Sequence, residues 1–499
     1  MIVLDGESFQ LDELASVVYA AAPVSLSDSG LERMQHAHEA VAKGVAGGNS
    51  IYGLTTGLGS KSGEALSGSE IDQFAMDSIR ARANAMGDSL PREIVRAAIA
   101  ARLNSFMLGH SCGSSRLAIH YRDCLNAGVC PHVGRIGSIG AGDLCQTATL
   151  SLAMLGEGRI RDQGQGFVDA ANALSETGLE IPKLNVGDNM ALMNHGSVGV
   201  GGSAVALLRA RRWLNHCENA VSAGIEAFQA NLSPLHAVAR GRNNCSNSDR
   251  GEVTVSQRLL SRLQGSSLLR GAEPRRLQDP LSIRNVSQIL GSLETALRHA
   301  EEVCVVAMNS STDSPQVDVN NNAIESTGAF MTPDLTIACE GVARSVDLVC
   351  TAQVARIRTY LTHRLTDLDQ YLAVNNAASN GFAPLLKATE SLLASIKAAL
   401  NPVPFWPSVN ADGVEDVFAQ TSMRALNLFE ALDLAETLLA IESIVVAEAL
   451  QQRQPGPVYS ADTEQFIAEV REKVPPLGNA RALTADVESL KSRLSPSFC

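Results

Sequence analysis

No uncharged apolar run in this sequence reaches the roughly 18 residues that a membrane span needs. Its greasiest tract, LLAIESIVVAEAL (438–450), is interrupted by Glu442 and Glu448 and reads as a buried amphipathic helix. A bilayer is therefore not an expected partner. Aromatic residues are scarce, at 4% of 499 positions with two tryptophans, so the core has to be aliphatic and Ala-rich, which favours helix. Basic residues are outnumbered, and the net charge of −13 argues against nucleic acid or anionic lipid, although it leaves room for a local basic pocket that holds a small anion. The amino terminus, MIVLDGESFQLDEL, has acids where a signal peptide carries Lys or Arg, so a cytoplasmic location is expected. Ten cysteines are scattered without a C-x-x-C pair, which fits reduced thiols and supports neither a disulfide framework nor a zinc site. His36 and His38 are the only close histidine pair. They lack a carboxylate pattern around them, and no metal is expected.

What is present is helical periodicity. Apolar spacing predicts helices over about 30–47, 70–87, 92–108, 143–156, 198–230, 283–308, 334–372, 383–400, 414–452 and 462–474. Thr332-Pro333-Asp334 supplies a start signal, with proline at the first helical position. Three of these helices run near or beyond 30 residues, against a usual mean of about 11–12. Long Ala-rich helices with two apolar sides pack as a central bundle shared between subunits. The fold class expected is all-α, with a mixed N-terminal head over 1–220 and a long-helix bundle over 221–499. Polar, Gly- or Pro-rich loops fall at 48–67, 131–142, 240–252, 309–332 and 401–413.

Five polar stretches stand out as places for chemistry. IYGLTTGLGSKSG (51–63) places Tyr52 and Lys61 on a Gly-rich segment expected to be mobile. MALMNHGSVGVGG (190–202) sets Asn194 and His195 at the start of a small-residue helix, and LQDPLSIRNVSQ (277–288) offers Gln278 and Arg284 around a turn. NSSTDSPQVDVNNN (309–322) is too long to be a mere connector, and NADGVEDVF (410–418) puts Glu415 just inside a greasy helix. Singly, each has a bland reading: a packed loop tyrosine, a surface ion pair, a helix cap. Together they supply a phenol, a guanidinium, carboxamides and a carboxylate, a set suited to acid–base work on a small zwitterion. Spacing alone does not show that they converge.

The chain resembles the histidine and phenylalanine ammonia-lyase superfamily from end to end. The resemblance is carried in order by VLDGESFQLDEL, YGLTTGLG, GDSLPREIVRAAIAARLNS, GSIGAGDL, ALMNHGSV, QDPLSIR, NSSTDSP, STGAF and GVEDV. It implies a mainly α homotetramer with each active site shared between about three subunits. It also implies an Ala-Ser-Gly triplet that cyclises to an electrophilic methylideneimidazolone ring. Here the frame reads Gly137-Ser138-Ile139-Gly140-Ala141-Gly142-Asp143-Leu144, one residue short and without that serine. Ser138 precedes the turn and is out of place to substitute for it. Leu281 stands where a second catalytic tyrosine is expected, Arg82 replaces a histidine, and Ala329 and Met331 replace an asparagine and a histidine around Phe330. Tyr52, Asn194, Gln278, Arg284 and Glu415 match their counterparts.

Elimination without the electrophile requires a substrate that brings its own leaving group, and each tenfold in rate is about 1.4 kcal/mol of barrier. A quaternary trimethylammonium leaves as neutral trimethylamine. By this lesion the chain is similar to ergothionase, the superfamily branch that eliminates trimethylamine from ergothioneine to give thiourocanate, and the expected substrate is an aromatic betaine with no cofactor required. On that resemblance Tyr52 takes the β-proton, with Arg82 or Lys61 as the cation favouring its ionised form. Arg284 and Asn194 hold the carboxylate, while Glu415, and Lys387 on GFAPLLKATESLL, serve the thioimidazole. Gln278 lines the site, and Phe330 faces the trimethylammonium. Two other readings stay open: an ammonia-lyase with an unusual electrophile, and a degenerate lyase kept as a binding protein. A fumarase-like signature is only mimicked by Gly265-Ser266-Ser267-Leu268-Leu269-Arg270, and the glycines of GRIGSIGAGDL are out of register for a dinucleotide fingerprint.

Overall fold

The computed structural model describes the chain except residues 163–165, 241–249, 374–378, 454–455, 479 and 495–499. Most of the polar stretch expected at 240–252, together with Cys245 and Cys499, lies outside the described residues. The architecture is mainly α, as the sequence predicts. Among the described residues, eight short strands pair only into four two-stranded ribbons. Four long helices, Ser197–Phe228, Val286–Met308, Pro333–Tyr360 and Thr421–Gln452, form the central bundle. The first of them also packs on Arg92–Phe106, so head and bundle share one continuous core.

Small residues bring these helices close. A Cβ at Gly201 would lie 2.5 Å from the Ala98 backbone nitrogen, so the Ser197–Phe228 helix meets Arg92–Phe106 backbone to backbone. The tract LLAIESIVVAEAL is not amphipathic as expected. It is buried all round, because Glu442 is fully covered and is held by Arg356 at 2.6 Å and by Gln353 at 3.0 Å. Charge inside a bundle survives only when paired in this way.

Two helix ends differ from the periodicity. The helix expected over 334–372 stops at Tyr360 and is followed by a turn at His363–Thr366, with Asp367 left-handed (φ 54°). The helix expected from 414 starts only at Thr421, because Gln420 is left-handed (φ 56°). Glu415 therefore sits after the short turn Asn410–Gly413 rather than inside a helix, and its N–H donates to the Asn410 carbonyl at 3.2 Å. The described cysteines are all unpaired thiols, and all but half-buried Cys145 are buried. His36 is exposed, and Nδ1 of His38 lies 3.3 Å from the Cys112 carbonyl. No helix among the described residues is long and apolar enough to cross a membrane.

Candidate active site

A cavity of about 410 Å³ opens between the head and residues 314–330 and 411–415, and Tyr52, Arg82, Asn194, Phe330 and Glu415 all line it. They come from five separate segments, so the fold assembles what sequence spacing left unconnected. Tyr52 sits on the loop before the single turn Gly59–Lys61, and the Gly59 N–H donates to its phenolic oxygen at 3.2 Å. Arg82 ends the helix Gly68–Arg82, with Nη1 on the Ser78 carbonyl at 3.3 Å. Burial disfavours its charge and draws its pKa down, while Tyr52, Cys145 and Glu415 oppose the shift. The phenol and the carboxylate thus both favour the charge of one guanidinium in the cavity they line.

Asn194 closes the short helix Asp188–Met193 and donates from Nδ2 to the Ser314 carbonyl at 2.6 Å, which turns its Oδ1 toward the glycine loop. Sequence reasoning missed Asn189. It donates to the Gly53 carbonyl and to Ser78 Oγ, both at 3.1 Å, and so ties the Tyr52 loop to the helix that carries Arg82. It also missed Met190, Met193 and Leu144, which form the apolar wall, and the hydroxyl residues Ser314, Ser326 and Thr327. Met190 and Asn194 are four apart on one helical face, a signal that was available.

The other expected site residues lie elsewhere on this single chain. Lys61, Lys387, Gln278 and Arg284 are exposed and do not line the cavity. Gln278 and Arg284 flank a surface segment on which Leu277 is 83% and Leu281 is 69% exposed, which is unusual for large aliphatic side chains. His195 is buried beneath the cavity beside Arg102 and Asp313, and burial holds its pKa well below the ordinary value, so it is neutral.

The glycine loop explains itself in detail. Ser138 Oγ donates to the Asp143 carboxylate and accepts from the Gly140 N–H at 2.9 Å, while Asp143 Oδ2 accepts from Gly199 N at 2.8 Å. Ser138 thus braces the loop and is absent from the cavity wall, which Ala141 alone of this turn lines. Gly142 is left-handed (φ 84°), and a Cβ there would lie 2.6 Å from Asn194 Oδ1. The residues present do not fit a prosthetic ring of the lyase type. The serine is missing, and the place that a Cβ on Gly142 would take is filled by the Asn194 carboxamide oxygen. Gly142→Ala should cost about 1–3 kcal/mol, from left-handed strain plus the clash. Thermal melting checks this, and an unchanged melting temperature would show that the loop is slack.

A family model for aromatic amino acid lyases matches residues 9–472. The chain belongs to the aromatic amino acid lyase family. It is a carbon–nitrogen lyase. It is 28% identical to the histidine ammonia-lyase of Geobacillus thermodenitrificans, covering 99% of this chain and 97% of that protein. Among solved structures it is similar to ergothionase, the ergothioneine-degrading enzyme of Treponema denticola, in complex with desmethyl-ergothioneine sulfonic acid. That match has a TM-score of 0.91 at 23% identity and covers 99% of this chain and 98% of the other. The histidine ammonia-lyase of Trypanosoma cruzi superposes with a TM-score of 0.89 at 24% identity, over 99% and 93% of the two chains.

Proposed function

We propose that this lyase eliminates trimethylamine from an aromatic betaine, ergothioneine or a close analogue, without a prosthetic electrophile. The carrying observation is the contrast within one cavity: Tyr52, Arg82, Asn194, Phe330 and Glu415 are assembled around Ala141, while the serine of the ring-forming triplet is absent and Asn194 leaves no room for a side chain at Gly142. The structural likeness to ergothionase supports the same reading.

The step balances without a further reactant. Tyr52, as phenolate, takes the β-proton, with the Gly59 N–H donating to its oxygen and Arg82 lining the same cavity. The C–H electron pair becomes the Cα=Cβ bond, and the C–N pair departs with neutral trimethylamine. Glu415 binds the heteroaromatic ring so that it draws charge from the β-carbon. Phe330 and the two methionines give the methyl groups an apolar, polarisable wall. The exposed segment with Leu277, Gln278, Leu281 and Arg284 then completes the cavity of a neighbouring subunit in a homotetramer. Arg284 grips the carboxylate there, and Lys387 meets the ring from another subunit.

Trimethylamine release from ergothioneine, hercynine and histidine tests the reading, alongside intact mass. We expect release from at least one betaine and a mass equal to that of the unmodified chain. Inert betaines with urocanate formed from histidine, together with the loss of two waters, would return the chain to the ammonia-lyases that it matches in sequence.

A further inference from the structure

The head carries a second cavity, of about 530 Å³, that none of the site residues lines. It lies between the first turn of Arg92–Phe106, residues 127–130, and the hairpin Arg159–Arg161/Phe167–Asp169 with the helix Ala170–Thr177 behind it. Its wall includes Arg92, Arg161 and Cys130 together with apolar Ile160, Val168 and Ala173.

The charge here is poorly matched. Arg96, one helical turn beyond Arg92, is 2% exposed, and its Nη groups donate only to the Leu125 and Val17 carbonyls, at 3.3 and 2.9 Å. Arg161 Nη2 reaches Ser89 Oγ and the Leu90 carbonyl only at 3.4 and 3.5 Å. The Nε atoms of Arg96 and Arg161 and Nδ1 of His132 are buried without a partner. Arg159 and Arg161 flank the Phe167 ring at 5.5 and 5.1 Å. Among the described residues, no carboxylate comes within 4.0 Å of Arg96, Arg159 or Arg161, and the neighbouring residues 163–165 are Gln-Gly-Gln.

Acids do stand nearby. Asp162 and Glu176, both exposed, also line the cavity, and Asp162 Oδ1 is taken by the Gly166 N–H at 3.0 Å. Glu93 is pushed up by burial, against the pull of Arg209, Arg161 and Arg92. At Cys130 burial raises the thiol pKa, while Arg161, Arg92 and Arg96 all oppose it, so three guanidinium groups converge on one lining side chain. Of these donors, those of Arg161 belong to the cavity wall, and a cation there without a carboxylate calls for an anion. That demand is out of keeping with a chain of net charge −13.

We infer that this cavity binds a small organic oxyanion, a phosphomonoester or a carboxylate, with Arg161 forked on the anionic oxygens and the organic part against Ile160, Val168 and Ala173. Calorimetric titration of the full chain at constant ionic strength, with inorganic phosphate, phenyl phosphate and benzoate against a chloride baseline, tests it. We expect saturable binding of one anion per chain, weakened at least ~10-fold by Arg161→Gln and less by Arg161→Lys. Ala173→Trp, which fills the cavity without touching a charge, should abolish binding of phenyl phosphate. Arg82→Gln in the catalytic cavity should leave binding unchanged. Preference for phenyl phosphate assigns a phosphate ligand, and preference for benzoate a carboxylate. The inference falls if no anion binds above chloride, or if binding survives in Arg161→Gln and Ala173→Trp but is lost in Arg82→Gln.

Discussion

Tyr52→Phe should lower kcat for betaine elimination by roughly 10²–10⁴-fold, the usual contribution of a positioned general base. The phenolic oxygen of Tyr52 accepts the Gly59 N–H at 3.2 Å, and the ring shares its cavity with Arg82, whose charge Tyr52 favours against the effect of burial. Phe preserves the ring's packing against the core, so KM should move far less than kcat. The distinction matters because a merely structural tyrosine would raise KM or lower stability instead. A Tyr52→Phe enzyme that kept wild-type kcat would transfer the base role to Glu415, the remaining ionisable group that lines the cavity and can accept a proton.

The helices were legible because their apolar periodicity is strong and their interiors carry few breakers. The buried Arg356–Glu442 pair was not, since a glutamate in a greasy tract looks the same in sequence whether it faces solvent or a guanidinium 86 residues away. The site was half legible. Tyr52, Asn194, Phe330, Glu415 and Arg82 were named from loop chemistry and resemblance, and the fold brings these five together. Lys61, Lys387, Gln278 and Arg284 match the same patterns and yet face outward on the single chain. A sequence pattern names candidate residues and does not show which of them one chain brings into one cavity. Left-handed residues were the other blind spot: Gln420 delays a helix by seven residues relative to the periodicity, and nothing about glutamine signals φ above zero.

Arg102→Met should cost about 3–5 kcal/mol of stability, because it strands a buried carboxylate. Arg102 and Asp313 are 1% and 2% exposed and meet through two hydrogen bonds, at 2.6 and 2.8 Å. Arg102 also holds the Ala191 carbonyl at 2.6 Å and lies over the Phe106 ring at 4.0 Å. Burial alone would push the Asp313 carboxyl up, but the charge and hydrogen bonds of Arg102 outweigh it and hold its pKa below the ordinary carboxylate value. The sign of the pH dependence follows. In the wild type the pair stabilises above the unfolded carboxylate pKa of about 4, and that contribution is lost as pH falls through the lower folded value. In the variant, burial is unopposed, the folded pKa rises above the unfolded one, and stability is instead lost as pH rises through it. The gap between wild type and variant should therefore widen from about pH 4 to pH 7, measured by melting at fixed protein concentration. A gap that stayed constant with pH would mean that the lost packing over Phe106, rather than charge, accounts for the cost. The same pair joins Ala191, three residues before Asn194, to Asp313, beside the Ser314 carbonyl that orients Asn194. A variant that still folds at low temperature should consequently show weakened substrate binding, with KM raised before kcat falls.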